Sequence, residues 1–250
     1  MPAHRRPLHL HLRLRQALSF SSLGTALLVL GACAQPGVSL EPTPGSPSAS
    51  SPGVFDAAEM SFFVTSTNPG PGGRLGGLIG ADSHCQFLAT TAGAGQRTWR
   101  AYLSMRGTLG SFPVHARDRI GPGPWRNALG VTVARNVDEL HSPDNQLNKQ
   151  TALTEKGAVI SGRGDAVNLH DILTGSSPDG RSVAMDQDST CGTWTSSGSG
   201  SALVGHHDRL GLDEQPPAKS WNSSHLTRGC SLEAFKTTGG AGLMYCFALP

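Results

Sequence analysis

The sequence predicts an α+β domain of short strands, few helices and long ordered loops, tied by two disulfides. Three observations carry this expectation. Apolar, β-branched and aromatic runs are short, and Gly, Ser, Asn, Asp and Pro dominate between them. From Met60 to Leu249 roughly 190 residues run without an internal linker or repeat, enough for one sizeable core. Four cysteines, Cys85, Cys191, Cys230 and Cys246, lie within that stretch. An even count in an exported chain reads as a disulfide framework that offsets the entropy of long loops.

Export is read from the first 32 residues. Arg5, Arg6, Arg13 and Arg15 stand without an acidic residue before a short apolar core around Leu23–Leu30. A basic start and an apolar core too short for a comfortable membrane span make a secretory signal. It ends in Leu30-Gly31-Ala32-Cys33, which resembles the lipobox of bacterial lipoproteins. That resemblance implies that Cys33 is acylated and becomes the first mature residue. With Ala34 following it, the chain is expected at the outer membrane or cell surface, attached to the membrane through the lipid alone. Removing the leader takes four of the 20 basic residues and none of the 18 acidic ones. That leaves 16 against 18, a net charge near −2. A weakly acidic chain has no general drive towards nucleic acid, which is excluded as a partner, local patches aside.

Residues 33–57 follow as a tether. Pro, Ser, Gly and Ala dominate it, as in Glu41-Pro42-Thr43-Pro44-Gly45-Ser46-Pro47, with little that could build a core. The domain is taken as residues 58–250. Ser61-Phe62-Phe63-Val64-Thr65 reads as an opening strand. After a glycine-rich turn, Asp82 is expected to cap a helix whose apolar positions Cys85, Leu88, Ala89 and Ala92 share one face and whose stop is Gly93. Trp99–Ser104 is the next strand, Val131–Val133 another, and Val137–His141 a short helical piece. Ala158–Ser161 is a strand candidate, and Leu243–Ala248 is the strongest one in the chain. Four cysteines permit three disulfide pairings, and zinc would want short spacings such as Cys-x-x-Cys, which are missing.

Several ordered stretches together are similar to the endostatin-type branch of the C-type-lectin-like fold. They are Thr98–Ser104, Val133–His141 with Asp138-Glu139-Leu140, Gly175-Ser176-Ser177-Pro178-Asp179-Gly180-Arg181, Cys191-Gly192-Thr193-Trp194, Cys230 and Leu243-Met244-Tyr245-Cys246. The opening Phe63–Thr67, Leu75–Asp82 and Cys85-Gln86 resembles a version of this domain on bacterial surface lipoproteins, a group whose function is largely unassigned. The resemblance implies nested disulfides, Cys85–Cys246 and Cys191–Cys230. Loops this long give about 4–5 kcal/mol each in the chain-entropy view, before any native strain is subtracted.

Not all family functions carry over. The endostatin zinc histidines have no counterpart in residues 55–65, and the clustered arginines of its heparin site are missing around Thr195. A calcium-dependent lectin site needs carboxylate-bearing loop motifs. The nearest strings, Pro143-Asp144-Asn145 and Trp221-Asn222-Ser223, lack those carboxylates, so no calcium or other cofactor is expected.

Function is then expected to be recognition of an extracellular ligand, a glycan, matrix polymer or protein, without catalysis. The readers would be loops at about 107–125 and 198–229. A loop tryptophan beside polar residues is a natural sugar-stacking platform, which singles out Trp125, Arg126, Asn127, Trp221, Asn222 and His225. Trp99 and Trp194 read as core. His206-His207-Asp208 with His225 could supply metal ligands, but adjacent histidines point apart on most backbones, and a solvated loop is the expectation. His170 with Asp171, or His115 with Asp118, could be paired with a serine, yet no nucleophile-elbow motif accompanies them. Arg163-Gly164-Asp165 is a tripeptide that recurs by chance. The alternatives are an envelope hydrolase using His206, His207, Asp208 or His225, and a structural envelope component.

Overall fold

The computed structural model describes residues 54–107, 109–183 and 188–250. The leader, Cys33 and nearly all of the tether lie outside the described residues. The fold is a mixed α/β domain with short strands, few helices and two disulfides. Among the described residues no helix is long and apolar enough to cross a membrane.

In chain order the elements are β1 (Phe62–Val64), α1 (Gly77–Thr91), β2 (Trp99–Ala101), β3 (Trp125–Arg126), β4 (Thr132–Ala134), α2 (Val137–Leu140) and β5 (Asp171–Leu173). Then come α3 (Cys191–Trp194), β6 (Leu203–His206), β7 (His225–Leu226), α4 (Leu232–Lys236) and β8 (Gly240–Ala248). The main sheet has the order β1-β8-β5-β6-β7, and β2 pairs with β8 as well. Only β5 runs parallel to β8; the other pairings are antiparallel. A separate two-stranded ribbon joins β3 and β4.

Strand β8 organises the domain because both of its faces are covered. Met244, Cys246 and Ala248 enter one apolar core with α1, Trp99, Trp194 and Phe235. Leu243, Tyr245 and Phe247 enter a second core with Phe62, Tyr102, Trp125 and Trp221. Successive side chains of a strand point to opposite faces, so a continuous apolar run feeds two cores in alternation. The disulfides hold the first core. Cys85 of α1 joins Cys246 of β8 across 161 residues, and Cys191 joins Cys230 across 39. These are the pairings the resemblance implied, and such bonds place the domain in an oxidising, extracellular setting.

Three local expectations need correction. Helix α1 starts at Gly77, after Gly76 in the left-handed region (φ 81°), so Asp82 lies inside the helix and caps nothing. The Asp82 carboxylate instead receives Arg100 and Arg119, at 2.7 Å each, and the Ala101 amide. Ala158–Ser161 forms no strand: a single bridge joins Val159 to Leu153, and the flanking Ala158 and Ser161 carbonyls accept from the Thr154 and Leu169 amides. The stretch around Trp125 is a strand rather than a loop, held antiparallel to β4. The α3 turn is wound left-handed, with Cys191, Gly192, Thr193 and Trp194 all at φ between 46° and 66°. L-residues disfavour that region, so the Cys191–Cys230 bond and the buried Trp194 Nε1, donating to the Ser104 carbonyl at 2.8 Å, must hold it in place.

Candidate functional site

The part of the sheet farthest from β1 carries a buried set of histidines and carboxylates. It arises from register. Asp171, the first residue of β5, lies directly opposite His206, the last of β6, and Val204 lies opposite His225 of β7. Residues two apart on β6 share a face, so His206, Asp171 and His225 project to the same side, as direct and diagonal neighbours. His170 enters from the turn before β5. It is pinned by a backbone hydrogen bond from the His207 amide to its carbonyl at 3.1 Å. Two glycines make the approach close enough. A Cβ on Gly205 would meet the Trp221 carbonyl at 1.9 Å, and one on Gly239 (φ 103°) would meet the His170 ring at 2.9 Å. Neither position tolerates a side chain.

The imidazoles converge on one oxygen. Nε2 of His170, His206 and His225 lie 3.2, 3.3 and 3.4 Å from Asp171 Oδ1. The rings of His170 and His206 stack at 4.1 Å, within 10° of parallel. Each ring's other nitrogen faces an acceptor: Nδ1 of His206 the Ala218 carbonyl at 2.7 Å, Nδ1 of His225 the Leu226 carbonyl at 3.2 Å, and Nδ1 of His170 Asp208 Oδ1 at 3.4 Å. Asp208 is itself fixed by the amides of Arg163 and Leu210. His170, Asp171 and His206 are buried; the His225 side chain is 37% exposed.

Charge balance is unusual here. Both Asp171 oxygens, His206 Nε2 and His170 Nδ1 are buried with no well-formed hydrogen bond among the described residues. Burial pushes the Asp171 carboxyl up, but the His206 and His225 rings outweigh it and hold it below the ordinary carboxylate range. Asp171 in turn raises His225 against the effect of burial. Burial also opposes ionisation of Asp208, yet the His170 ring and the Arg163 and Leu210 amides hold that carboxyl far down. Among the described residues His170, Asp171 and His206 are the group whose ligand atoms lie close enough for a metal ion, all within 4.8 Å of one another. Such a set can hold protons or a cation.

Above the cluster opens a cavity of about 670 Å³, lined by His170, His206, His225 and Ser224 and by the cationic Arg163, Arg228 and Lys236. No protein-family model matches the chain, and neither does any curated protein.

The residues singled out from sequence fall in three places. Trp125 and Trp221 are 1% and 3% exposed. Trp125 packs edge-on against Phe247, and Trp221 packs against Tyr102 and Tyr245. Their indole faces therefore fill the second core and offer no stacking platform, because the loops above them fold down onto the sheet. Asn127 and Asn222 are buried too. Asn127 holds its own turn through Leu129 and Val131, and Asn222 donates to Tyr102, Ser177 and Pro178. Arg126 lines a separate, smaller cavity of about 300 Å³ with Arg97 and Pro250. Of the six, only His225 reaches the His/Asp cluster. The solvated-loop expectation for His206-His207-Asp208 is overturned, since all three are buried. His207 does face away from His206, towards the Ser161 carbonyl at 3.3 Å, and burial lowers its pKa. In sequence His170 and Asp171 appeared as a possible acid–base pair and Asp208 as a possible metal ligand beside His206, His207 and His225, with the two sets unconnected; the repeated His-Asp step, 170–171 and 207–208, is the signal that could have joined them.

Proposed function

We propose that this is an exported, lipid-anchored recognition domain of the endostatin-type C-type-lectin-like class, binding an anionic extracellular glycan or matrix polymer without catalysis. Its ligand site would be the cavity above His206 and His225 rather than the tryptophan loops. One observation carries this reading: Arg163, Arg228 and Lys236 ring a cavity of about 670 Å³ on a chain whose mature net charge is slightly acidic. Asp213 is the acidic side chain lining it. A local cationic mouth focuses anions even where the whole molecule does not attract them. The nested disulfides and the helix-to-last-strand staple support the class, and the lipobox-like Leu30–Cys33 supports the anchor.

The test is binding of the mature chain to polygalacturonate and chondroitin sulfate, with dextran as neutral control. Saturable, salt-sensitive binding to an acidic polymer, lost in the Arg163→Glu/Arg228→Glu pair, is the expected result. Equal retention on dextran, or binding untouched by the pair, would sink it. A second reading, an envelope hydrolase using His206 and His225 beside Asp171, is favoured by their convergence on one oxygen. Release of new reducing ends from the bound polymer would select it.

A further inference from the structure

We propose that His170, Asp171, His206 and His225 bind one divalent transition ion of the zinc class at the floor of the cavity. The donors are already assembled: three imidazole nitrogens surround Asp171 Oδ1 at 3.2–3.4 Å. Ligands around a tetrahedral ion with bonds of about 2.0–2.1 Å are separated by about 3.3–3.4 Å, which the distance from each imidazole to Asp171 Oδ1 matches, and the ligand atoms of His170, Asp171 and His206 all lie within 4.8 Å of one another. The outer nitrogens are also engaged as metal-bound histidines require. With Nδ1 of His206 and His225 donating to the Ala218 and Leu226 carbonyls, and Nδ1 of His170 turned to Asp208, each Nε2 is left on the Asp171 side, and the stacked His170 and His206 rings must tilt apart for both lone pairs to reach one ion. Backbone carbonyls and a carboxylate in that outer position are the usual supports of metal-bound histidines.

The rival account is protons alone. One proton joins one Nε2 to Asp171 and leaves the other two nitrogens facing an oxygen with nothing between them. A second would place two imidazolium rings 4.1 Å apart in a stack. A cation gives Asp171 and the facing imidazole nitrogens a common partner, and it accounts for both Asp171 oxygens and His206 Nε2 being buried without well-formed hydrogen bonds. Donor chemistry sets the class. Three imidazoles and one carboxylate suit zinc or another late first-row divalent ion, whereas calcium and magnesium take all-oxygen sets. His170, Asp171 and His206 form the closed side, and the half-exposed His225 stands at the cavity, where a ligand could displace it or join it. The inference stands whether or not the cavity takes an acidic polymer.

The test uses the mature, oxidised chain, stripped with chelator and titrated with zinc against a chromophoric chelator, then with cobalt(II) for its visible spectrum. One equivalent of zinc is expected, together with the intense visible absorption of low-symmetry, four-coordinate cobalt. His206→Gln and Asp171→Asn should weaken binding by more than the roughly 10–100-fold that loss of an outer partner costs. His207→Gln, facing away, should leave it unchanged. If His206→Gln fails to fold, His225→Gln at the cavity mouth gives the same readout without entering the core. Absence of stoichiometric zinc, affinity unchanged in His225→Gln and Asp171→Asn, or loss in His207→Gln alone would each overturn the proposal.

Discussion

Two buried polar clusters lie on the same sheet and are finished in opposite ways. Around Tyr102 each side-chain polar atom has a partner. The Tyr102 hydroxyl meets His141 Nε2 at 2.7 Å and receives Asn222 Nδ2 at 3.0 Å, His141 Nδ1 faces the Val137 carbonyl, and Ser220 donates to Asn222 Oδ1. Around Asp171 three rings crowd one oxygen, and four buried polar atoms go without a well-formed hydrogen bond. Leaving a buried polar group unpaired costs about 1–3 kcal/mol; Trp125 Nε1 and His207 Nδ1 are left so singly, whereas around Asp171 four such atoms meet in one place, which marks it as the candidate site. The first cluster is completed within the chain; the second is not.

The largest effect should come from the structural cluster. Trp221→Ala removes a side chain packed on Tyr102, His141 and Tyr245, and is expected to cost about 3–5 kcal/mol in urea unfolding of the oxidised chain. Full stability with loss of polymer binding would instead return Trp221 to the ligand site and break the comparison. Next, Asn222→Ala strips donors from the Ser177 and Pro178 carbonyls and should cost about 1–3 kcal/mol. In chelator-treated protein Asp171→Asn should also destabilise, by about 1–3 kcal/mol, because it removes the charge around which the His206 and His225 rings gather.

A pH series sharpens the contrast further. Burial, assisted by the nearby Arg117, depresses His141 below its ordinary value, against the Val137 carbonyl and the carboxylates of Asp179 and Asp138. The unfolded chain then binds the proton more readily than the folded one. His141 therefore leaves stability intact above the unfolded value of about 6.5 and erodes it as pH falls below that towards the depressed folded value. The slope of unfolding free energy against pH in that window should flatten in His141→Gln; an unchanged slope would place the titration elsewhere. The smallest effect belongs to the cavity mouth. Arg228→Ala, at an exposed position, should shift stability by no more than about 0.5 kcal/mol while weakening acidic-polymer binding.

Legibility in sequence tracked element length. Helix α1, with its apolar spacing and Gly93 stop, and strand β8, with nine residues and near-continuous burial, were readable because each repeats its period several times. Strands β5, β6 and β7, with three, four and two residues, are too short to show a period, and β6 is interrupted by Gly205. They lay in stretches assigned to loops, and with them went the site. The misplacement of Trp125 and Trp221 has the opposite cause. Polar neighbours made them look exposed, yet those neighbours, Asn127 and Asn222, spend their hydrogen bonds inward, on local turns and on the core.

The sequence by itself determined that four cysteines are spread between positions 85 and 246, that a long apolar strand lies near position 245, and that a stretch of roughly 190 residues runs without an internal linker. Those properties are local or compositional, and the hydrophobic period or a count suffices to read them. Only the tertiary structure decided that His170, Asp171, His206 and His225 meet. Their meeting depends on which residue of β5 faces which residue of β6 and β7, across gaps of 35 and 19 positions between Asp171, His206 and His225. Strand register is set by the packing of the whole sheet, and a shift of one residue would turn each of those side chains to the other face.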